Sequence, residues 1–221
     1  MKKVIFILTI IIITISCKPG KTNQVKEDNI ELANLLDKYY DERMQMYPLE
    51  STINGDNRFN NSLPADFTDS YRKKLNDFFN RYKASLTPYN REQLNDNDKI
   101  SYDIFRYEIN MNLEDLIHFY TFYDYMPFDQ FNGTPLLLGQ MGSGTGYQPF
   151  KTPTDYENWL QRAAAFSSWT DSAIVYFKKG MAVNNVLPKA AVLKMIPHRQ
   201  KDNKGDRWVS EFVDAPPFKT E

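Results

Sequence analysis

At 221 residues with 42% hydrophobic side chains, the chain is long enough to bury the core of one large domain or two small ones. Its 27 basic and 28 acidic side chains nearly cancel, so no basic surface selects nucleic acid as a partner and no acidic arm is present. A single cysteine excludes an internal disulfide framework, and stability must come from packing.

In chain order, Lys2 and Lys3 form a short positive head. An apolar run from Val4 to Ile15 follows, and Ser16-Cys17 closes it. That run is much shorter than the roughly 20 residues needed to span a hydrocarbon core. Its pattern predicts an export signal over residues 1–16. Because a small residue precedes Cys17, the specific expectation is a lipoprotein signal. Cys17 would then take a diacylglycerol and become the new N-terminus. The mature chain is expected to be an exported bacterial lipoprotein of the cell envelope, facing the periplasm or on the outer membrane, with the membrane as its partner through Cys17. The plainer alternative is an ordinary signal peptide with an incidental cysteine. With Cys17 committed to lipid, no thiol remains for a zinc site or a cysteine nucleophile.

Residues 17–29 are polar without an apolar period and read as a flexible tether. The Gly20-Lys21-Thr22 triplet lacks the upstream glycine of a phosphate-binding loop and is a chance match. Asp28 and Glu31 have capping-box spacing. Ile30, Leu32, Leu35, Leu36, Tyr39 and Tyr40 then predict a helix to about Met46, ending before Pro48. Residues 49–64, rich in Asn, Gly and Ser, read as loop. A second helix is expected over 66–86, with Phe67, Tyr71, Leu75, Phe78, Phe79 and Tyr82 on its apolar face. A third is expected from 91 or 95 to 119, carrying Ile100, Ile104, Tyr107, Met111 and Leu116 as its stripe.

Residues 120–151 are punctuated by Pro127, Pro135 and Pro149 and five glycines, which predicts a long Gly/Pro-rich loop. Thr154 and Glu157 then have capping-box spacing. They open a helix through Trp159, Leu160, Ala163, Phe166, Trp169, Ala173 and Val175 to about Lys179, near Gly180. Pro188 suits the first position of a last helix that continues to Ile196. The segment 198–221 is charged, lacks a helical stripe and is expected to be disordered. The fold class expected is all-α: an irregular multi-helix array spanning 30–197, part of a larger helical body. An uncovered apolar face is expected around Val192, Leu193 and Ile196. The 14 Tyr, 15 Phe and 3 Trp suit helix seams first, and sugar or peptide contacts second.

Two stretches carry a family resemblance. Tyr125-Met126-Pro127-Phe128-Asp129-Gln130-Phe131-Asn132-Gly133 resembles an "MP-x-x-QF-x-G" segment. Asp155-Tyr156-Glu157-Asn158-Trp159-Leu160, continuing through Gly180 to Leu187-Pro188, resembles a "DYENWL … G … LP" helix pair. Both are similar to the bacterial family called domain of unknown function 885. Its members are exported, helical and placed among zincin-like metallopeptidases. The resemblance covers about 29–196 and fades after Pro197, which implies the N-terminal part of a longer protein, shortened by truncation or frameshift. It also implies that zinc belongs to full-length relatives, through a His-Glu-x-x-His motif beyond this region. A separate chain supplying that C-terminal half is then a possible partner.

No catalytic residue carries over. The motif needs two histidines four apart on one helical face to grip zinc, with the glutamate activating water. Here the two histidines, His118 and His198, are far apart and are followed by Phe119 and Arg199. No metal site and no cofactor is therefore expected in this chain. Glu114 and His118 share a helical face but lack further ligands, and read as a local polar pair. Gly139 to Gly146 lacks the strand and the Gly-Lys-Ser/Thr ending of a nucleotide loop, and reads as a lid or rim. Ser143 has no histidine nearby and lacks the outer glycine spacing of a nucleophile elbow. In the 126–133 segment, Asp129, Gln130 and Asn132 could line a substrate cleft, or Phe128 and Phe131 could plug the core. Two functional readings remain: a non-catalytic, lipid-anchored helical member of the family, or a helical surface lipoprotein that binds glycans or peptides through exposed aromatics.

Overall fold

The computed structural model of the protein describes residues 27–118, 125–129 and 133–192. Among these residues every regular element is helical, and the single β-type pairing is an isolated antiparallel bridge between Phe128 and Gly133. The fold is all-α. The helices are α1 (Ile30–Met46), α2 (Pro48–Ile53), α3 (Asp69–Ser85), α4 (Asp96–His118), α5 (Thr134–Gly142) and α6 (Pro153–Ala182). The chain becomes helical again at 189–192, directly after Pro188. No described helix is long and apolar enough to cross a membrane.

Local chemistry sets the helix starts. Asn29, rather than Asp28, caps α1, its Oδ1 accepting from the Leu32 N–H at 2.9 Å. Asp28 instead accepts from Asn95 Nδ2, and the Asn29 N–H donates to Asp98 Oδ2 at 2.7 Å. These two bonds tie the starts of α1 and α4 together, so the two helices run parallel. The capping box of α6 lies two residues before the expected one. The Thr152 hydroxyl accepts from the Asp155 N–H, and the Asp155 carboxylate accepts from the Thr152 N–H. Pro153 is the reason: its fixed φ and missing N–H suit the first helical position.

Helices α1, α3 and α4 enclose the first core. Tyr39 sits at its centre, with ring centroids 5.5 Å from Phe78, 4.9 Å from Tyr82 and 4.7 Å from Phe105. Leu32, Leu75, Phe79, Ile109 and Leu113 complete it. Each well-placed aromatic pair contributes about 0.5–1.5 kcal/mol beyond area burial. The Tyr39 hydroxyl donates to Glu108 Oε1 at 2.8 Å, and burial, reinforced by that carboxylate, pushes the phenol well above its ordinary value. The second core gathers Leu138 and Met141 of α5 and Trp159, Trp169 and Ala173 of α6, with Leu63 and Phe67 from the α2–α3 connection. Phe67 therefore serves the second core, edge-on to Trp169 at 5.2 Å, and not the α3 face.

Three expectations are corrected. The 49–64 stretch begins inside α2, because Pro48 occupies the first helical position and supports one short helix. The 120–151 stretch is not one loop: α5 starts at Thr134, with Pro135 in its first turn, and buries Leu138 and Met141. Gly142 is required there, since a Cβ would come within 2.4 Å of the Trp159 ring. Most consequentially, the apolar stripe assigned to the inside of α4 lies outside. Ile100 (59% exposed), Ile104 (61%), Tyr107 (66%) and Met111 (38%) face solvent, while Tyr102, Phe105, Ile109 and Leu113 face the core and Leu116 is partly buried. Helix α4 is apolar on two opposite faces, and periodicity alone cannot choose which one packs.

Candidate functional site

Of the residues expected to line a cleft, Asp129 is half-buried, whereas Gln130 and Asn132 lie outside the described residues. Their neighbour Phe128 packs inward, edge-on to Phe177 at 5.1 Å and against Trp169 at 6.1 Å. For Phe128 the core-plug alternative is the one observed. Gly133 pairs with Phe128 at φ +125°, where a side chain is strained, and a Cβ there would meet Phe128 Cβ at 2.5 Å. Phe128 is thus held against α6 by its ring and paired with Gly133 by the bridge.

The most elaborate polar arrangement in the described residues is one that sequence reading missed. Arg162, on α6, is fully buried with no carboxylate beside it. Its Nε donates to the Ser62 carbonyl at 3.0 Å. One Nη donates to Gln148 Oε1 at 2.7 Å, and the other to the Phe59 and Pro48 carbonyls at 2.7 and 3.3 Å. Burial lowers the guanidinium to about 10, so it remains charged at neutral pH. Three of the fork's donors meet carbonyls of α2 and of the chain that follows it, and the remaining nitrogen meets Gln148 Oε1 and the Met141 sulfur. Thr52 and Asn60 extend the network, the Thr52 hydroxyl donating to Asn60 Oδ1 at 2.6 Å. Arg162 therefore clamps the 48–62 stretch onto α6. Its signal in the sequence was a lone charge at core register, three residues after Trp159 and seven before Trp169.

This clamp is structural chemistry. A buried cation whose donors are committed to three backbone carbonyls, the Gln148 side chain and the Met141 sulfur has no free donor for a substrate. The accessible chemistry lies instead on α4. Its outer stripe repeats at i, i+4, i+7 and i+11, the spacing of a helix–helix seam. Arg43 braces α4 from behind, bridging Glu50 of α2 and Glu108 of α4.

The remaining motifs resolve as follows. Gly139 and Gly142 lie within α5, and the run to Gly146 leaves a helix C-terminus, so the expected lid is a helix end and turn. There Ser143 Oγ donates to the Gln140 carbonyl at 2.7 Å. Glu114 is exposed, and the His118 side chain lies outside the described residues. Among the described residues, no group of three or more His, Cys, Asp or Glu side chains gathers in a way that could hold a metal ion. Cys17, Leu193 and Ile196 also lie outside the described residues, and Val192, the described member of the expected C-terminal face, is exposed.

Among the described residues, the all-α architecture agrees with the helical class that the sequence resemblance implied. The chain matches the family model described as "Bacterial protein of unknown function (DUF885)" over residues 48–213, and it belongs to that family. The match takes in α2 to α6 and continues past Pro197, where the resemblance was expected to fade. No curated protein and no solved structure matches the chain.

Proposed function

We propose that this family member is an exported lipoprotein anchored at Cys17, non-catalytic by itself, whose helical domain forms one part of a larger helical body. The supporting observation is α4. A helix with apolar stripes on two opposite faces can pack against neighbours on both sides. Here one face of α4 is packed by α1 and α3, and the opposite face is open. The complement we propose is a further helical body of the zincin-like kind, supplied as a separate C-terminal half; the seam-like spacing of the stripe favours a helix over a strand as the contact. Zinc would belong to that half.

The alternative of glycan or peptide binding through exposed aromatics has less to draw on. Trp159 and Trp169 are buried, as are Tyr39, Tyr71, Phe78, Phe79, Tyr82 and Phe105.

Three measurements on the full chain test the proposal. Fractionation of a bacterial host should place the wild type in the membrane fraction and Cys17→Ser in the soluble fraction; equal partitioning would remove the anchor. The purified Cys17→Ser chain should hold no stoichiometric zinc and cleave no peptide. Zinc with turnover would mean the chain is catalytic. That same chain should bind a hydrophobic dye through α4, with binding reduced in Tyr107→Asp; a monomer blind to the dye argues against the larger body.

A further inference from the structure

Where α3 ends and α4 passes beside it, the helices leave an open groove of about 410 Å³. One wall is the last turn of α3 and its exit, contributing Lys83, Leu86, Thr87 and Tyr89. The other is α4, contributing Tyr102, Arg106, Ile109 and Asn110. The α4 residues recur at intervals of three and four, so they form a single helical face. The floor is apolar and closed, since Leu86, Tyr102 and Ile109 are all buried. Around it stand two cations, one amide, one hydroxyl and the Tyr89 phenol, and no carboxylate lines the groove.

Charge bookkeeping leaves those cations available. Among the described residues neither Lys83 nor Arg106 forms an ion pair. Asp103, one turn before Arg106 and close enough for the Arg106 charge to help lower its carboxyl, is already held by Arg91. Arg91 Nε donates to both Asp103 oxygens at 2.8 and 2.9 Å, and Nη2 donates at 2.7 Å. From α1, Glu31 is close enough to Tyr89 to add to the burial that raises its phenol, so Tyr89 stays a neutral donor. The volume falls within the range of small-ligand sites, which combine an apolar floor with a few convergent polar groups.

We propose that this groove binds a carboxylate carried on an apolar body of side-chain size. The apolar body rests on Leu86, Tyr102 and Ile109, and the carboxylate lies between Arg106 and Lys83, where a guanidinium offers two parallel donors. A free organic acid and the C-terminal residue of a peptide present the same chemistry. The site is independent of α4's outer stripe, which lies on another face of that helix.

Calorimetric titration of the full-length Cys17→Ser chain with three probes tests this: N-acetylphenylalanine, its amide, and the peptide Ala-Ala-Phe. A ligand of this size is expected to bind with a dissociation constant on the order of 1 mM, and the amide about tenfold more weakly, the loss expected of one charge-assisted hydrogen bond. Arg106→Met and Lys83→Met should each weaken the acid without changing the amide. Both side chains are exposed, so an unchanged unfolding midpoint will show that the fold is intact. Tighter binding of the peptide than of the acid identifies a chain end as the ligand; the reverse order identifies a free acid. Equal binding of acid and amide, indifference to both substitutions, or no binding of any probe at about 10 mM overturns the proposal. Zinc uptake or peptide cleavage by the same preparation would tell against the non-catalytic reading and leave the groove's result standing.

Discussion

The two cores of this domain are held together by different physics. Around Tyr39 the α1–α3–α4 core is aromatic and largely dry, and its polar contacts sit at the edge, where Glu108 meets Tyr39 and Arg43. The α5–α6 core has a buried cation at its heart, and Arg162 holds by its carbonyl bonds the short helix α2 and the chain that follows it. Rings can find many nearly equivalent packings, so the first core should tolerate small changes gradually. A guanidinium with every donor committed has one arrangement, and the second should fail abruptly.

The largest effect should come from Arg162→Ala. It strands buried carbonyls and opens a cavity, and should cost roughly 3–5 kcal/mol by urea unfolding. Because Trp159 and Trp169 both lie in the second core, the tryptophan transition should move further than the helical signal. Coincident transitions would show that the two cores melt as one unit. Phe79→Ala, at a fully buried position of the first core, should cost about 3–4 kcal/mol, with the opposite ordering of the two probes. Gly142→Ala drives a methyl into the Trp159 ring and should cost roughly 1–3 kcal/mol; a neutral result would mean that α5 shifts easily on α6. Removing the α1 cap in Asn29→Ala should cost about 1 kcal/mol and be felt in the first core alone. Smallest is Ile104→Asp, on the outer face of α4. It should change stability by about 0.5 kcal/mol or less while lowering dye binding, and a larger loss would mean that Ile104 is packed in solution.

Helix existence was legible where a long apolar period met a clear stop, as in α1 before Pro48, and α3 was legible from its apolar face, although its start was placed at 66 rather than 69. The short helices α2 and α5 were not, because Asn, Gly and Pro signal turns in general. Here Pro48 and Pro135 sit in the first turns of helices instead. Little of the candidate site could be read. The groove joins residues about twenty positions apart in sequence, and nothing in either segment marks the other. Arg162 could have been suspected only as a charge out of place on an apolar face.

What the amino-acid sequence determined by itself was the helical class, the aromatic character of the core and the family, because these depend on composition, local periodicity and short motifs. Which face of α4 turns inward was decided only by tertiary structure. Ile100, Ile104, Tyr107 and Met111 are as apolar and as regularly spaced as the residues that are buried. The choice was made by Asn29 bonding to Asp98 and by Tyr39 reaching Glu108, contacts that exist only once α1 and α4 lie side by side.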